Sequence, residues 1–292
     1  MIDLHRPLIF ATRGLCLLMV ALPTAALDLS TAEFVDLSHP LNEEAVFWPT
    51  QPSGFEKNTV AYGKTDGGFF YSAFSVCMPE HIGTHLDAPR HFSATGNTTD
   101  QIPLRNLIAP GILIDVSEQA AADRNYQLKI QDILAFETLH GLVQPGTAVL
   151  LRTDWSRFWL DRVAYLGDDT PGDASRLQFP SYGSEAARLL IEERRVAILG
   201  VDTASIDYGK SVDYKVHRIA AEANVIGLEN LAGLKKLPPA GFTVIALPVN
   251  IEGGSGGPAR IVAVIPDAVS YTHIRAHETR HDLVCRLLLE KK

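Results

Sequence analysis

Val196-Ala197-Ile198-Leu199-Gly200-Val201 places five apolar side chains in six residues, three of them β-branched, and stops at Asp202. A run this short, with no polar stripe, reads as a strand covered on both faces. Four further stretches have the same character: Gly111-Ile112-Leu113-Ile114-Asp115-Val116, Ala148-Val149-Leu150-Leu151-Arg152, Phe242-Thr243-Val244-Ile245-Ala246-Leu247 and Ile261-Val262-Ala263-Val264-Ile265. Helical patterns fall between them, at 130–139 and after Ser184, where a capping serine and Glu185 precede Ala186-Ala187-Arg188-Leu189-Leu190-Ile191. The alternation predicts an α/β fold, a single domain with a central, mostly buried β-sheet flanked by helices.

The composition agrees with a globular domain and excludes some partners. Of 292 residues, 46% are hydrophobic and 21% charged. A formal charge of -8, with no Lys/Arg-rich block, gives no basic surplus to neutralise phosphates, so nucleic acid is not an expected partner.

The two ends read differently from the middle. Arg6 and Arg13 precede the apolar run Leu15-Cys16-Leu17-Leu18-Met19-Val20-Ala21-Leu22, and Pro23-Thr24-Ala25-Ala26 offers small residues for cleavage before Leu27. Residues 1–26 are therefore expected to be a signal peptide, too short in its apolar part to persist as a membrane span, and the mature protein to be secreted or periplasmic. At the other end, Val269-Ser270-Tyr271-Thr272-His273 resembles a translated sequencing adapter of the transposase type, whose codons GTC TCT TAT ACA CAT would encode these five residues. Residues 269–292 are accordingly expected to be a non-native tail, and the four-residue spacing of His273, His277 and His281 is not counted as a metal site. Between these ends, 27–268 has no repeat, linker or abrupt charge shift, and Cys77 is its single cysteine, so an intramolecular disulfide is not expected there.

The chemistry is concentrated in His81-Ile82-Gly83-Thr84-His85-Leu86-Asp87-Ala88-Pro89-Arg90-His91. His81, His85, Asp87 and His91 are all odd-numbered, and an extended chain would project them to one side. Three imidazoles and a carboxylate form a nitrogen and oxygen donor set suited to zinc, manganese or iron and unsuited to calcium. Two-metal hydrolytic centres need further carboxylates from elsewhere in a fold. His39 in Asp36-Leu37-Ser38-His39-Pro40, His140 beside Gly141, and His217 in a stretch rich in acidic residues are the remaining candidates. His140 has a structural explanation as the basic end of a helix.

These features resemble the cyclase family of metal-dependent hydrolases, which includes bacterial kynurenine formamidases and isatin hydrolases. Its signature HxGTHxDxPxH is matched by His81, Gly83, Thr84, His85, Asp87, Pro89 and His91. The resemblance extends over residues 33–267 and includes Asp36-Leu37-Ser38-His39-Pro40-Leu41 and Gly200-Val201-Asp202-Thr203-Ala204-Ser205. It implies a swivelling β/α/β-like domain and a binuclear centre, with two Zn2+ or alternatively Mn2+. His81, His85, Asp87, His217 and Glu229 would be the metal ligands, with Asp87 as the bridge. The twelve-residue spacing of His217 and Glu229 is the family's. His91 would be the catalytic proton carrier. By the same resemblance the chain is an arylformamidase-like amidohydrolase, cleaving an aryl formamide of the N-formylkynurenine type with a metal-activated hydroxide, and a homo-oligomer.

A lactam-ring hydrolase of the isatin type is the alternative within this chemistry, and an exported metal- or ligand-binding protein without turnover is the alternative outside it. Phe47, Trp48, Phe69, Phe70 and Tyr71 could wall a pocket for a flat ring or equally belong to the core.

Overall fold

All five apolar runs enter one sheet. The computed structural model describes residues 28–267, so the expected signal peptide and the adapter-like tail lie outside the described residues. In chain order the strands are β1 (Glu33–Asp36), β2 (Glu56–Lys64), β3 (Phe70–Cys77), β4 (His85–Asp87), β5 (Ile108–Asp115), β6 (Gln127–Leu128), β7 (Ala148–Arg152), β8 (Ser181–Tyr182), β9 (Ile198–Val201), β10 (Ile226–Glu229), β11 (Ala240–Pro248) and β12 (Gly256–Ile265). The ladder runs β12-β11-β5-β7-β9-β10-β4, and β4 pairs again with β12, which closes a barrel of seven strands; β1 adds to β12 outside the ring. Strands β5, β7, β9 and β10 are parallel, and the remaining pairings of the ring are antiparallel.

The unbroken apolar character of these strands follows from burial on both faces. Along β7, Ala148 and Leu150 join Leu86, Ile198, Leu228, Val244 and Ala263 in one cluster, contributed by strands all around the ring. Val149 and Leu151, which point the other way, pack with Ile133, Leu190, Leu199 and Val216 beneath the flanking helices. The structure is thus mixed α/β as expected, but its sheet is closed. Closure depends on the three-residue strand β4, and a strand that short leaves no periodicity to read.

Helix Ile130–His140 matches its expected position. The helix beginning at Ser184 is capped by the backbone of Gly183, with no side-chain bond from Ser184, and passes after Arg188 into a wider π-turn, Leu189–Glu193. Strands β2 and β3 pair only with each other and form a ribbon exposing Tyr62, Phe70, Tyr71, Phe74 and Val76. Among the described residues, no helix is long and apolar enough to cross a membrane.

Candidate metal centre

The histidine-rich segment is not a continuous extended chain. Gly83 has φ +60°, a left-handed conformation that strains any residue with a Cβ, and a Cβ there would also meet Leu41 Cδ1 at 3.1 Å. The chain turns at Gly83, runs as β4 for His85–Asp87, and turns again through the 3-10 segment Pro89–His91. The expectation that alternation alone would align the four side chains is therefore corrected. A turn on each side of a short strand gathers them.

Register supplies the next candidate ligand. His85 lies opposite Glu229 in the antiparallel pairing of β4 with β10, so their side chains share a face. His85 Nε2 lies 3.4 Å from Glu229 Oε2 and 3.3 Å from Asp87 Oδ1. Asp87 Oδ1 is 2.6 Å from His81 Nδ1, while Asp87 Oδ2 is 3.1 Å from His217 Nε2, which in turn is 3.1 Å from Glu229 Oε1. Two metal-competent groups result, His81/His85/Asp87 and Asp87/His217/Glu229, with Asp87 common to both. All five residues named as ligands from the sequence are therefore brought together.

Each imidazole is held from behind by a different acceptor. His85 Nδ1 donates to Gly83 O at 2.9 Å, and that carbonyl also accepts from Asn230 Nδ2 at 2.8 Å. His217 Nδ1 lies 2.7 Å from Asp207 Oδ2. Asp207 also accepts from the backbone N–H of Val216 and of His217, both at 3.0 Å, so one carboxylate caps helix Lys215–Glu222 and orients its histidine. His81 Nε2 faces Ser255 Oγ at 3.0 Å. Outer partners of this kind fix the tautomer and leave the other ring nitrogen directed at a metal.

The electrostatics also favour a cation. Burial opposes a charge on His85, yet the Asp87 and Glu229 carboxylates lift its imidazole to about 9. His217, equally buried, is raised well above the ordinary range by Asp207, Asp87 and Glu229. Burial and the charge of Asp87 push Glu229 up, whereas the imidazoles of His81 and His217 hold Asp87 well below the usual carboxylate range despite its burial. Two buried carboxylates thus demand positive charge at a spot surrounded by nitrogen and oxygen donors. The donor set fits a divalent cation of the transition series.

His91 stands beside this cluster and outside both ligand groups. Its ring stacks on His81 with centroids 3.9 Å apart and lies 4.5 Å from the ring of Phe92. Burial, helped by the neighbouring imidazoles, pushes His91 down to about 4, so it is neutral at pH 7, a proton acceptor as it stands. A cavity of about 310 Å³ opens over His81, His85, His91, His217 and Glu229, walled by Phe47, Trp48, Phe92 and Tyr214.

Of the five aromatic residues left undecided by the sequence, Phe47 and Trp48 are cavity wall, while Phe69, Phe70 and Tyr71 are exposed at the ribbon end. His39 is not a ligand: its ring stacks on Trp159 at 3.9 Å, nearly parallel. His140 ends its helix against Phe136, as expected of a structural residue. Sequence reasoning gave no role to Asp207, in the acidic stretch around His217, or to Ser255, in the glycine-rich stretch 253–258, and did not single out Asn230, Phe92 or Tyr214. Phe92, adjacent to His91, and Asn230, adjacent to Glu229, carried a positional signal; the others reach the site through tertiary contacts.

The Cyclase family model matches residues 35–208. Isatin hydrolase of Roseibium aggregatum is 35% identical over 233 residues, covering 74% of this chain and 86% of that protein. Kynurenine formamidase of Salinibacter ruber is 26% identical, covering 80% of this chain and 97% of the relative. Among solved structures, isatin hydrolase A from Ralstonia solanacearum is similar with a TM-score of 0.72 and 33% identity, covering 80% of this chain and 92% of that one.

Proposed function

The chain belongs to the cyclase family of metal-dependent hydrolases, and from that premise we propose that it hydrolyses an amide C–N bond carried on an aromatic ring, an aryl formamide of the N-formylkynurenine type. One observation carries this reading: four of the five metal-competent residues, with Asp87 buried among them, and a neutral histidine line a cavity walled by four aromatic side chains. His81, His85, Asp87, His217 and Glu229 would hold the metal, with Asp87 common to both metal-competent groups. A divalent cation supplies a lowered water pKa, toward about 7, and a Lewis acid for the carbonyl oxygen.

The chain's own groups account for the rest. Phe47, Trp48, Phe92 and Tyr214 offer flat apolar surface to orient a ring. His91, neutral and beside the donors, takes a proton from the attacking water and returns it to the leaving nitrogen, a poor anion without it. Opening of a lactam ring is the second reading, favoured by the higher identity to isatin hydrolase than to kynurenine formamidase, 35% against 26%. Incubating purified protein with zinc or manganese and either N-formylkynurenine or isatin, with absorbance followed, separates the two. Hydrolysis of neither would overturn the proposal and favour an exported binding protein without turnover.

Zinc as the native metal, two ions per chain, a secreted or periplasmic location and a homo-oligomeric state complete the reading. Export is supported by the basic and apolar pattern of 1–26, and association by the apolar side chains exposed on the β2–β3 ribbon. Elemental analysis, cell fractionation and light scattering test them in turn.

A further inference from the structure

The glycine-rich stretch Gly253-Gly254-Ser255-Gly256-Gly257-Pro258, a turn that runs into the start of β12, forms the wall behind His81. It is tied to the ligand segment by a backbone bond from Ala88 N to Ser255 O at 2.9 Å, and to the turn beyond it by one from Thr99 N to Gly254 O at 3.0 Å. A Cβ on Gly256 would lie 2.4 Å from His81 Cε1, so the loop backbone touches the imidazole directly. Between loop and ring runs a chain of polar contacts. Ser255 N and Ser255 Oγ both donate to Glu80 Oε2, at 2.9 and 2.6 Å, and Ser255 Oγ faces His81 Nε2 at 3.0 Å.

A hydroxyl has one proton. With that proton committed to the Glu80 carboxylate, Ser255 Oγ can only accept from the ring, so Nε2 carries the hydrogen and Nδ1 is the nitrogen facing Asp87. His85 and His217 are oriented by a carbonyl and a carboxylate acting directly, whereas His81 is oriented by a carboxylate acting through a serine.

We propose that Glu80 and Ser255 are positioning residues that select the His81 tautomer and set the metal affinity of the half-site His81/His85/Asp87. The proposal rests on the metal-centre reading above. Ser255→Ala removes the hydroxyl but keeps the backbone N–H bond to Glu80, so the loop retains its anchor. Zn2+ affinity, measured by competition with a chelating indicator, is expected to fall about 10- to 100-fold in Ser255→Ala, as is usual on loss of an outer partner. The unfolding temperature of the metal-free protein is expected to stay unchanged. Ser255→Thr restores the hydroxyl and should recover the affinity. Glu80→Ala should weaken wild type but add nothing in the Ser255→Ala background, because the two act through one chain. The visible absorption of the Co2+-loaded protein should shift in Ser255→Ala. Wild-type binding with equal affinity and an unshifted Co2+ spectrum in Ser255→Ala would overturn the positioning role alone. Failure of the wild type to bind Zn2+ would overturn the metal centre and this proposal together.

Discussion

His217 Nε2 lies 3.1 Å from Asp87 Oδ2 across 130 residues of sequence, while the other Asp87 oxygen faces His81 and His85. Asp87 is the residue shared by the two metal-competent groups. Asp87→Asn replaces one of the two anionic oxygens by an amide that cannot bind a cation. Elemental analysis should show both half-sites depleted, where Glu229→Gln mainly depletes the half-site with His217. Equal metal content in Asp87→Asn and wild type would refute the bridging position.

His91 is set apart from the ligands by position, which separates binding from turnover. His91→Ala should keep its metal and lose about 100- to 10,000-fold in kcat, the range for a positioned proton carrier. Metal analysis on the same preparation used for kinetics checks this, and loss of metal would reassign His91 as a ligand.

Asp207 serves two purposes at once, capping the backbone at Val216 and His217 and accepting from His217 Nδ1. Asp207→Asn leaves one acceptor oxygen for these roles. Metal affinity is expected to fall about 10- to 100-fold. A helix cap typically contributes about 1 kcal/mol, so denaturant unfolding of the metal-free variant should show a loss of that order. Unchanged affinity would mean that the Nδ1 contact is incidental.

The approach of Gly256 to His81 gives a steric prediction. A Cβ at 256 would stand 2.4 Å from His81 Cε1 and 2.8 Å from the Leu86 carbonyl oxygen, and the backbone oxygen has little room to retreat. Gly256→Ala should destabilise the fold by about 1–3 kcal/mol, as overpacking does, and weaken metal binding with it. Calorimetry with and without metal reads both effects; a wild-type unfolding temperature would rule out the tight contact.

His39 governs a pH effect away from the centre. Burial against Trp159 lowers its imidazole from 6.5 to about 4, with Asp36 opposing weakly. The unfolded chain then binds the proton more readily than the folded one, so stability is complete above about pH 6.5 and declines as pH falls toward about 4. His39→Phe keeps a ring against Trp159 and has nothing to protonate. Urea unfolding at pH 7 and pH 5 should show a smaller acid loss in the variant, and identical losses would exclude His39 as the cause.

The sequence by itself determined the strands at 148–152 and 198–201, the α/β class and the donor cluster His81, His85 and Asp87, while His217 and Glu229 were named only through the family resemblance. Uninterrupted apolar runs record burial on both faces, and the histidine-rich segment concentrates its donors within eleven residues. Tertiary structure alone decided the closure of the barrel, because β4 is too short to have a period and its partners β10 and β12 lie far along the chain. It also decided how the ligands meet. The side-chain alternation expected for an extended segment gives way to a turn at Gly83 and another at Pro89, while cross-strand register places Glu229 opposite His85. Asp207 lies in the acidic stretch around His217 and Ser255 in a glycine-rich turn, but their roles were not legible in advance, since an outer partner needs only one polar atom at the right place and leaves no spacing rule behind it.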